Sequence, residues 1–189
     1  MQPFGALAGG VDAACDRPPH LMEPSYENRL RLVGRSLDRD QLADVSLLEI
    51  DGGFVARSFR PGGSEPLILE FLDADFARRI GEAITMRGEQ PKRRPASALL
   101  PTGYEDFLRA LGHRLDERVA ENITICELAS FVVVSGFVPS GAFPATGYQP
   151  FSEVLDAGDV RRLLAEARAR RGSYAPITHY IPASLRSAR

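Results

Sequence analysis

Displacing the chain by 78 positions lays residues 26–38, YENRLRLVGRSLD, on residues 104–116, YEDFLRALGHRLD, and the match continues without a gap to Gly63 on Gly141. Identical pairs include Tyr26/Tyr104, Glu27/Glu105, Leu30/Leu108, Arg31/Arg109, Gly34/Gly112, Leu37/Leu115, Asp38/Asp116, Glu49/Glu127, Val55/Val133, Phe59/Phe137 and Pro61/Pro139. After a longer loop, GAFPATGYQP, the likeness resumes as FLDADFARR (71–79) on VLDAGDVRR (154–162) and closes at Arg87-Gly88 on Arg171-Gly172. Agreement in order, spacing and end points points to an internal duplication, and a repeat sets the architecture before any single residue is considered.

Within one copy, Tyr26, Leu30, Val33 and Leu37 recur at helical spacing, as do Tyr104, Leu108, Leu111, Leu115 and Val119 in the other. Each set makes the apolar stripe of an amphipathic helix. Ser25 and Thr102 are the expected N-cap oxygens. Val45–Ile50 and Phe54–Phe59 flank Asp51-Gly52-Gly53, the chemistry of a tight hairpin, whereas Ala129-Ser130 requires a different turn in the second copy. A third strand is expected at Leu67–Leu72 and at Phe151–Leu155, the latter after a flexible loop, Ser140–Gln149. Closing helices follow, capped by Asp73 and Asp156 and stopped by Gly88 and Gly172, with Phe76, Ile80 and Ile84, then Val160, Leu164 and Ala167, on their buried sides.

The expected fold class is therefore α+β: a tandem duplication of an α-β-β-β-α unit forming a pseudo-twofold intramolecular dimer with antiparallel sheet and helices. A unit of about 65 residues buries little by itself, so the copies are expected to cover one another, through one shared six-stranded sheet or through two sheets joined by helices. The organisation reads as an extended N-terminal tail (1–24), the first repeat (25–88), a Pro/basic linker (89–103), the second repeat (104–172) and an extended C-terminal arm (173–189).

Lys+Arg 23 against Asp+Glu 25 leaves a formal charge of -2, without the basic excess that draws a whole protein onto nucleic acid or acidic lipid. Cys15 and Cys126 occupy unlike contexts, which argues against a disulfide framework and for a reducing compartment. Residues 1–15 lack a basic start, no run reaches the ~18 apolar residues of a membrane span, and the expected location is cytoplasmic.

Catalytic signatures are missing from the pattern. Three scattered histidines and two cysteines give no metal-ligand spacing, and the glycine pairs at 52–53 and 62–63 match no phosphate loop. No catalytic, metal or cofactor residue is assigned, and no cofactor is expected. His113 reads as an exposed helical residue and Cys126 as a small core residue. The run Lys92-Arg93-Arg94 reads as a solvated connector.

The residues that repeat between copies are the candidate interface. Glu27, Arg31, Gly34 and Asp38 share one helix edge, with Glu105, Arg109, Gly112 and Asp116 as their counterparts: a packing and salt-bridge edge where this helix meets its sheet or its twin, with a partner-binding rim as the alternative. Glu27 is set to pair with Arg31 at i, i+4. Glu49 and Glu127 fall on the apolar face of their strands and need counter-charges, for which Arg31 and Arg109 are the candidates. In the C-terminal arm, Tyr174, Ile177, Tyr180, Ile181 and Leu185 form an apolar set suited to docking.

The order α-β-β-β-α resembles that of double-stranded RNA-binding domains, but Asp73-Ala74-Asp75 opens the last helix where those domains carry lysines. In topology it is also similar to secretion-chaperone folds, which clasp an extended client as dimers. The expectation is a non-enzymatic interaction protein, an adaptor, assembly factor or accessory subunit. Its partner would be another protein or a larger complex, not nucleic acid, engaged through a groove or sheet face and the tails. The alternative is a small-molecule sensor or enzyme with a pocket between the repeats, near Glu49, Glu127 and the Phe143–Tyr148 loop. A weak binder of anionic polymers through Lys92–Arg94, Arg78, Arg79, Arg161 and Arg162 is a third possibility, and the oligomeric state is open.

Overall fold

The computed structural model describes residues 25–76, 78–79, 97–140 and 147–170. In chain order these form helix α1 (Tyr26–Arg39), strands β1 (Ala43–Ile50), β2 (Gly53–Phe59) and β3 (Pro66–Leu72), and a 3-10 turn (Asp73–Asp75). Helix α2 (Tyr104–Glu117), strands β4 (Glu121–Glu127), β5 (Phe131–Ser140) and β6 (Gly147–Asp156), and helix α3 (Ala157–Ala169) follow. All six strands join one antiparallel sheet in the order β3-β2-β1-β4-β5-β6. The fold is α+β, and of the two expected arrangements the strands adopt the single shared sheet.

Alternation assigns each strand residue to a side of the sheet. Val45, Leu47, Phe54, Ala56, Phe71, Ile123, Ile125, Val132, Val134 and Leu155 point to one side. There they pack with Leu30, Val33 and Leu37 of α1, Tyr104, Phe107, Leu108, Leu111 and Leu115 of α2, and Val160, Leu163 and Leu164 of α3 in one core. The helical stripes foreseen from spacing are thus the helix half of that core. Val119 is the exception: it lies past the end of α2 at φ 53° and is 62% exposed, because the chain turns there toward β4.

Both helix-to-strand turns use left-handed backbone at the same offsets, Gln41 and Asp44 before and within β1, Val119 and Asn122 before and within β4. The second of each pair coincides with a register shift in the ladder, between Ala43 and Ser46 and between Glu121 and Thr124, which is a bulge. Gly52 at φ 74° closes the β1–β2 hairpin, and the β4–β5 hairpin also turns on two residues, with Leu128 N–H donating to Phe131 O at 2.9 Å.

Several local expectations change. The Ser25 side chain does not cap α1, and the N-cap residue of α2 is Gly103, with Thr102 making no capping bond. Both N-termini are instead served from across the helix pair, as described below. Asp156 caps α3 as expected, accepting from Gly158 N at 2.7 Å and Asp159 N at 2.9 Å, while the Asp159 carboxylate accepts from Asp156 N. Asp73 begins the 3-10 turn and binds Arg29 at 3.0 Å. The Ser140–Gln149 segment is not all loop: β5 runs to Ser140 and β6 starts at Gly147, paired in register from Phe131↔Asp156 to Ser140↔Gly147. The linker is not all solvated either, since Leu99 and Leu100 are buried in the core. The tails, Lys92–Arg94, Phe143, Ile80, Ile84, Gly88, Gly172 and the arm residues Tyr174, Ile177, Tyr180, Ile181 and Leu185 lie outside the described residues.

Candidate interaction surface

The residues repeated between the two halves meet at the seam between α1 and α2. The helices run antiparallel, and Gly34 and Gly112 let them touch. A Cβ at Gly34 would lie 2.6 Å from Tyr104 O, and one at Gly112 would lie 2.6 Å from Tyr26 O. The close approach puts the last turn of each helix beside the first turn of the other. Asp116 accepts from Tyr26 N at 2.8 Å and Glu27 N at 2.9 Å, while Asp38 accepts from Tyr104 N at 2.9 Å and Glu105 N at 2.8 Å. Each carboxylate satisfies amides that a helix start leaves without intrahelical acceptors, and sits at the positive end of the partner helix dipole. Burial pushes the Asp116 carboxyl up, against the lowering effect of the Glu27 and Tyr26 amides.

The ion pairs also cross. Arg31 binds Glu105 at 3.0 Å and Arg109 binds Glu27 at 2.9 Å, in place of an i, i+4 pair within one helix. Glu27 lies against α2 and is 7% exposed, so its carboxylate meets the other helix's arginine before its own. His113 is half-buried, not exposed, between Glu27 at 3.4 Å and Glu117 at 3.3 Å.

Glu49 and Glu127 form a second reciprocal set beneath the helices. Glu49 accepts from the Tyr26 hydroxyl at 2.5 Å, from Arg29 at 3.2 Å and from Ile123 N at 2.9 Å. Glu127 accepts from the Tyr104 hydroxyl and, at 3.2 Å, from Val45 N. The counter-charge of Glu49 is therefore Arg29 and not Arg31, because α1 turns Arg29 toward the sheet and Arg31 toward α2. Burial, then Glu49, push the Tyr26 hydroxyl far above its ordinary range, so it remains a donor. Val45 and Ile123 directly follow the bulged Asp44 and Asn122, so each glutamate continues a β1–β4 seam whose backbone pairing spans only Ser46–Leu48 on Thr124–Cys126.

These eight side chains are engaged inside the molecule. The space beside Glu127, lined by Val45, Leu47, Leu100, Tyr104 and Val132 among others, holds about 10 Å³, room for one water at most. A larger cleft of about 270 Å³ lies between α2 and α3, where Glu117 meets Arg170 and Asp159 meets Arg162. Among the described residues, no three His, Cys, Asp or Glu side chains gather as a metal ion would require, and no helix is long and apolar enough to cross a membrane.

The surface that stands out is the side of the sheet turned away from the helices. Among the described residues nothing is layered on it, and Leu48 (50% exposed), Ile68 (59%), Leu72, Leu128, Phe137, Tyr148 and Val154 (61%) all project there. The register aligns two rows through its middle: Glu70, Val55, Leu48, Thr124, Ser135, Ser152, and beside it Ile68, Arg57, Ser46, Cys126, Val133, Val154. Cys126 is on this side, its sulfur 3.3 Å from the Ser46 hydroxyl, and not in the core as expected; the core position next to it belongs to Ile125. Arg57 lies over the Phe59 ring at 5.1 Å, and the Tyr148 hydroxyl donates to Glu121 at 3.2 Å. A sheet face was among the expected docking surfaces, but none of these residues was named for it, because Leu67–Leu72 and Val132–Val138 are nearly continuous apolar runs in which no alternation separates the two sides.

Comparisons of the chain with protein-family models, with curated proteins and with solved structures gave no match.

Proposed function

We propose that the chain is a non-enzymatic protein-interaction module, an adaptor, assembly factor or accessory subunit, built as an internally duplicated pseudo-dimer that docks through the open side of its sheet. One observation carries the reading: among the described residues a six-stranded sheet has one side packed with three helices, while the other presents Leu48, Ile68, Leu72, Phe137 and Val154 to solvent. Large apolar side chains gathered on one exposed face, among small polar ones, are a feature of interaction surfaces. The reciprocal contacts Asp38/Asp116, Arg31–Glu105/Arg109–Glu27 and Glu49/Glu127 support the pseudo-dimer reading, since each joins one half to the other at positions 78 apart. They also explain why carboxylates suggestive of a pocket act as struts.

The occupant that fits is a broad protein surface of similarly mixed apolar and small polar character. The test is affinity capture with the full chain and with Leu48→Arg and Ile68→Arg variants, each checked for folding by circular dichroism. A stoichiometric partner held by the full chain and lost by both variants is the expected result; equal capture by all three would refute docking through this face.

A further inference from the structure

The occupant can be specified further. Resting on the reading of the open sheet side as an interaction surface, we infer that it packs against the same side of a second copy of this chain, giving a two-layer β-sandwich with the helices outside.

Size is the first argument. Six strands at about 4.8 Å spacing make a sheet roughly 29 Å across, and strands of seven to ten residues at about 3.4 Å each give it a length of roughly 24 Å or more. The face therefore covers about 700 Å², close to the roughly 800 Å² that each partner contributes to a stable interface of standard size. A single helix or extended peptide would leave most of it bare.

Shape is the second. Ser46, Thr124, Cys126 and Ser135 alternate with Leu48, Val55 and Val133 over adjacent strands. A twofold axis lying across the strands, between the two central rows, places each copy's row over the other row of its partner. Leu48 then faces Ser46, and Val133 faces Ser135. Large residues meet small ones, which is the interdigitation that lets two sheets approach to about 10 Å. Leu48 over Ser46 on β1 lies about 2.4 Å from the midline of the sheet, where the usual crossing angle of about 30° displaces facing strands by only about 1 Å and preserves the pair.

Charge is the third. The two charged side chains in the middle rows, Arg57 and Glu70, differ in sign. Arg57 on β2 and Glu70 on β3 lie in adjacent rows of adjacent strands. The same twofold sets Arg57 of one copy beside Glu70 of the other, and self-association meets no like-charge barrier there.

The experiment is sedimentation equilibrium of the full chain from about 1 to 100 μM, on the parent sequence and on Leu48→Arg, Val133→Arg and an Arg168→Glu control on the exposed surface of α3. A species of about 41 kDa, twice the 20.7 kDa chain, is expected for the parent and the control. At least tenfold weaker association is expected for each face variant. A parent that stays monomeric at 100 μM overturns the inference, as does a dimer that both face variants leave intact. Failure of the inference is distinguishable from failure of the underlying reading. A monomer whose captured partner is lost on Leu48→Arg keeps the interaction surface and rejects the second copy, whereas a partner retained by Leu48→Arg rejects the surface itself.

Discussion

Replacing Gly112 with alanine sets two ordinary rules against each other. In an isolated helix Gly→Ala is favourable by about 1 kcal/mol. Here the new Cβ would stand 2.6 Å from Tyr26 O and 2.7 Å from Glu27 Cα and N, all backbone atoms that cannot rotate away. Relief to an ordinary 3.4 Å contact requires the helices to separate locally by about 0.8 Å. That movement would stretch the bonds from Asp116 to the Tyr26 and Glu27 amides, now 2.8 and 2.9 Å, to about 3.6 Å if the side chain did not follow. A hydrogen bond to a charged group contributes about 1.5–3 kcal/mol. With partial following by the aspartate, the loss across two such bonds exceeds the helix-propensity gain and leaves a net destabilisation of about 3 kcal/mol.

Guanidinium unfolding followed by far-ultraviolet circular dichroism measures it, as a lower midpoint at unchanged slope. Gly34→Ala meets Tyr104 O at the same 2.6 Å and is expected to cost the same within error. The double variant should cost less than the sum, because one separation of the helices relieves both contacts. A neutral or stabilising Gly112→Ala would refute the argument, since helix propensity would then have won and the backbones could not be in contact.

Other consequences follow from single side chains. Glu49→Leu strips the acceptor from Ile123 N–H, the Tyr26 hydroxyl and Arg29 together, and should destabilise by about 3 kcal/mol or more, with Glu49→Gln milder; chemical denaturation of both variants tests the ordering. Val119→Asn at φ 53° should stabilise by about 1 kcal/mol, because a β-branched residue is costly in left-handed backbone and asparagine is not; an unchanged or lower melting temperature would show that the turn is not strained. Two aspartates respond oppositely to pH. The Asp156 carboxyl is held low by the Asp159 and Gly158 amides, so its stabilisation is present above its unfolded value and lost as pH falls through the folded one. The melting-temperature deficit of Asp156→Ala should accordingly shrink from neutral pH toward about pH 3. Burial raises Asp116, so the folded state binds more protons in the window between its unfolded and folded values, and its contribution falls as pH rises through that window; Asp116→Asn should remove this slope from the pH dependence of unfolding.

Period and punctuation were enough to foresee the elements of the described residues, because an α-helix needs only its stripe and a hairpin only its turn. Tyr26 to Leu37 and Asp51-Gly52-Gly53 supply these without reference to the rest of the chain. Pairing across the halves was not foreseeable in the same way. Asp38 and Asp116 stand in the last turns of their own helices, where a negative charge opposes the local dipole. Local reasoning finds them unfavourable, and only an antiparallel neighbour with its first turn alongside resolves the conflict. The displacement of Arg31 from Glu27 to Glu105 has the same origin. An i, i+4 pair within a helix is worth about 0.2–0.5 kcal/mol, and a contact made against a neighbouring helix readily outcompetes it.

Residues that repeat with fixed identity invite a functional reading, yet Glu27, Arg31, Asp38, Glu49 and their counterparts all hold one half to the other. A shared sheet centred on β1 and β4 has backbone pairing over only three residues of each strand at its centre, so side chains must complete the joint, and they must be polar because what they satisfy are N–H groups. Identity at these positions follows from that demand. On the open face the paired positions are mixed: Val55/Val133 and Phe59/Phe137 keep their identity, while Leu48/Cys126 and Arg57/Ser135 differ. What separates the joint from the face is therefore not identity but the bonds the side chains make: those at the joint accept from N–H groups across it, and those on the face stand toward solvent.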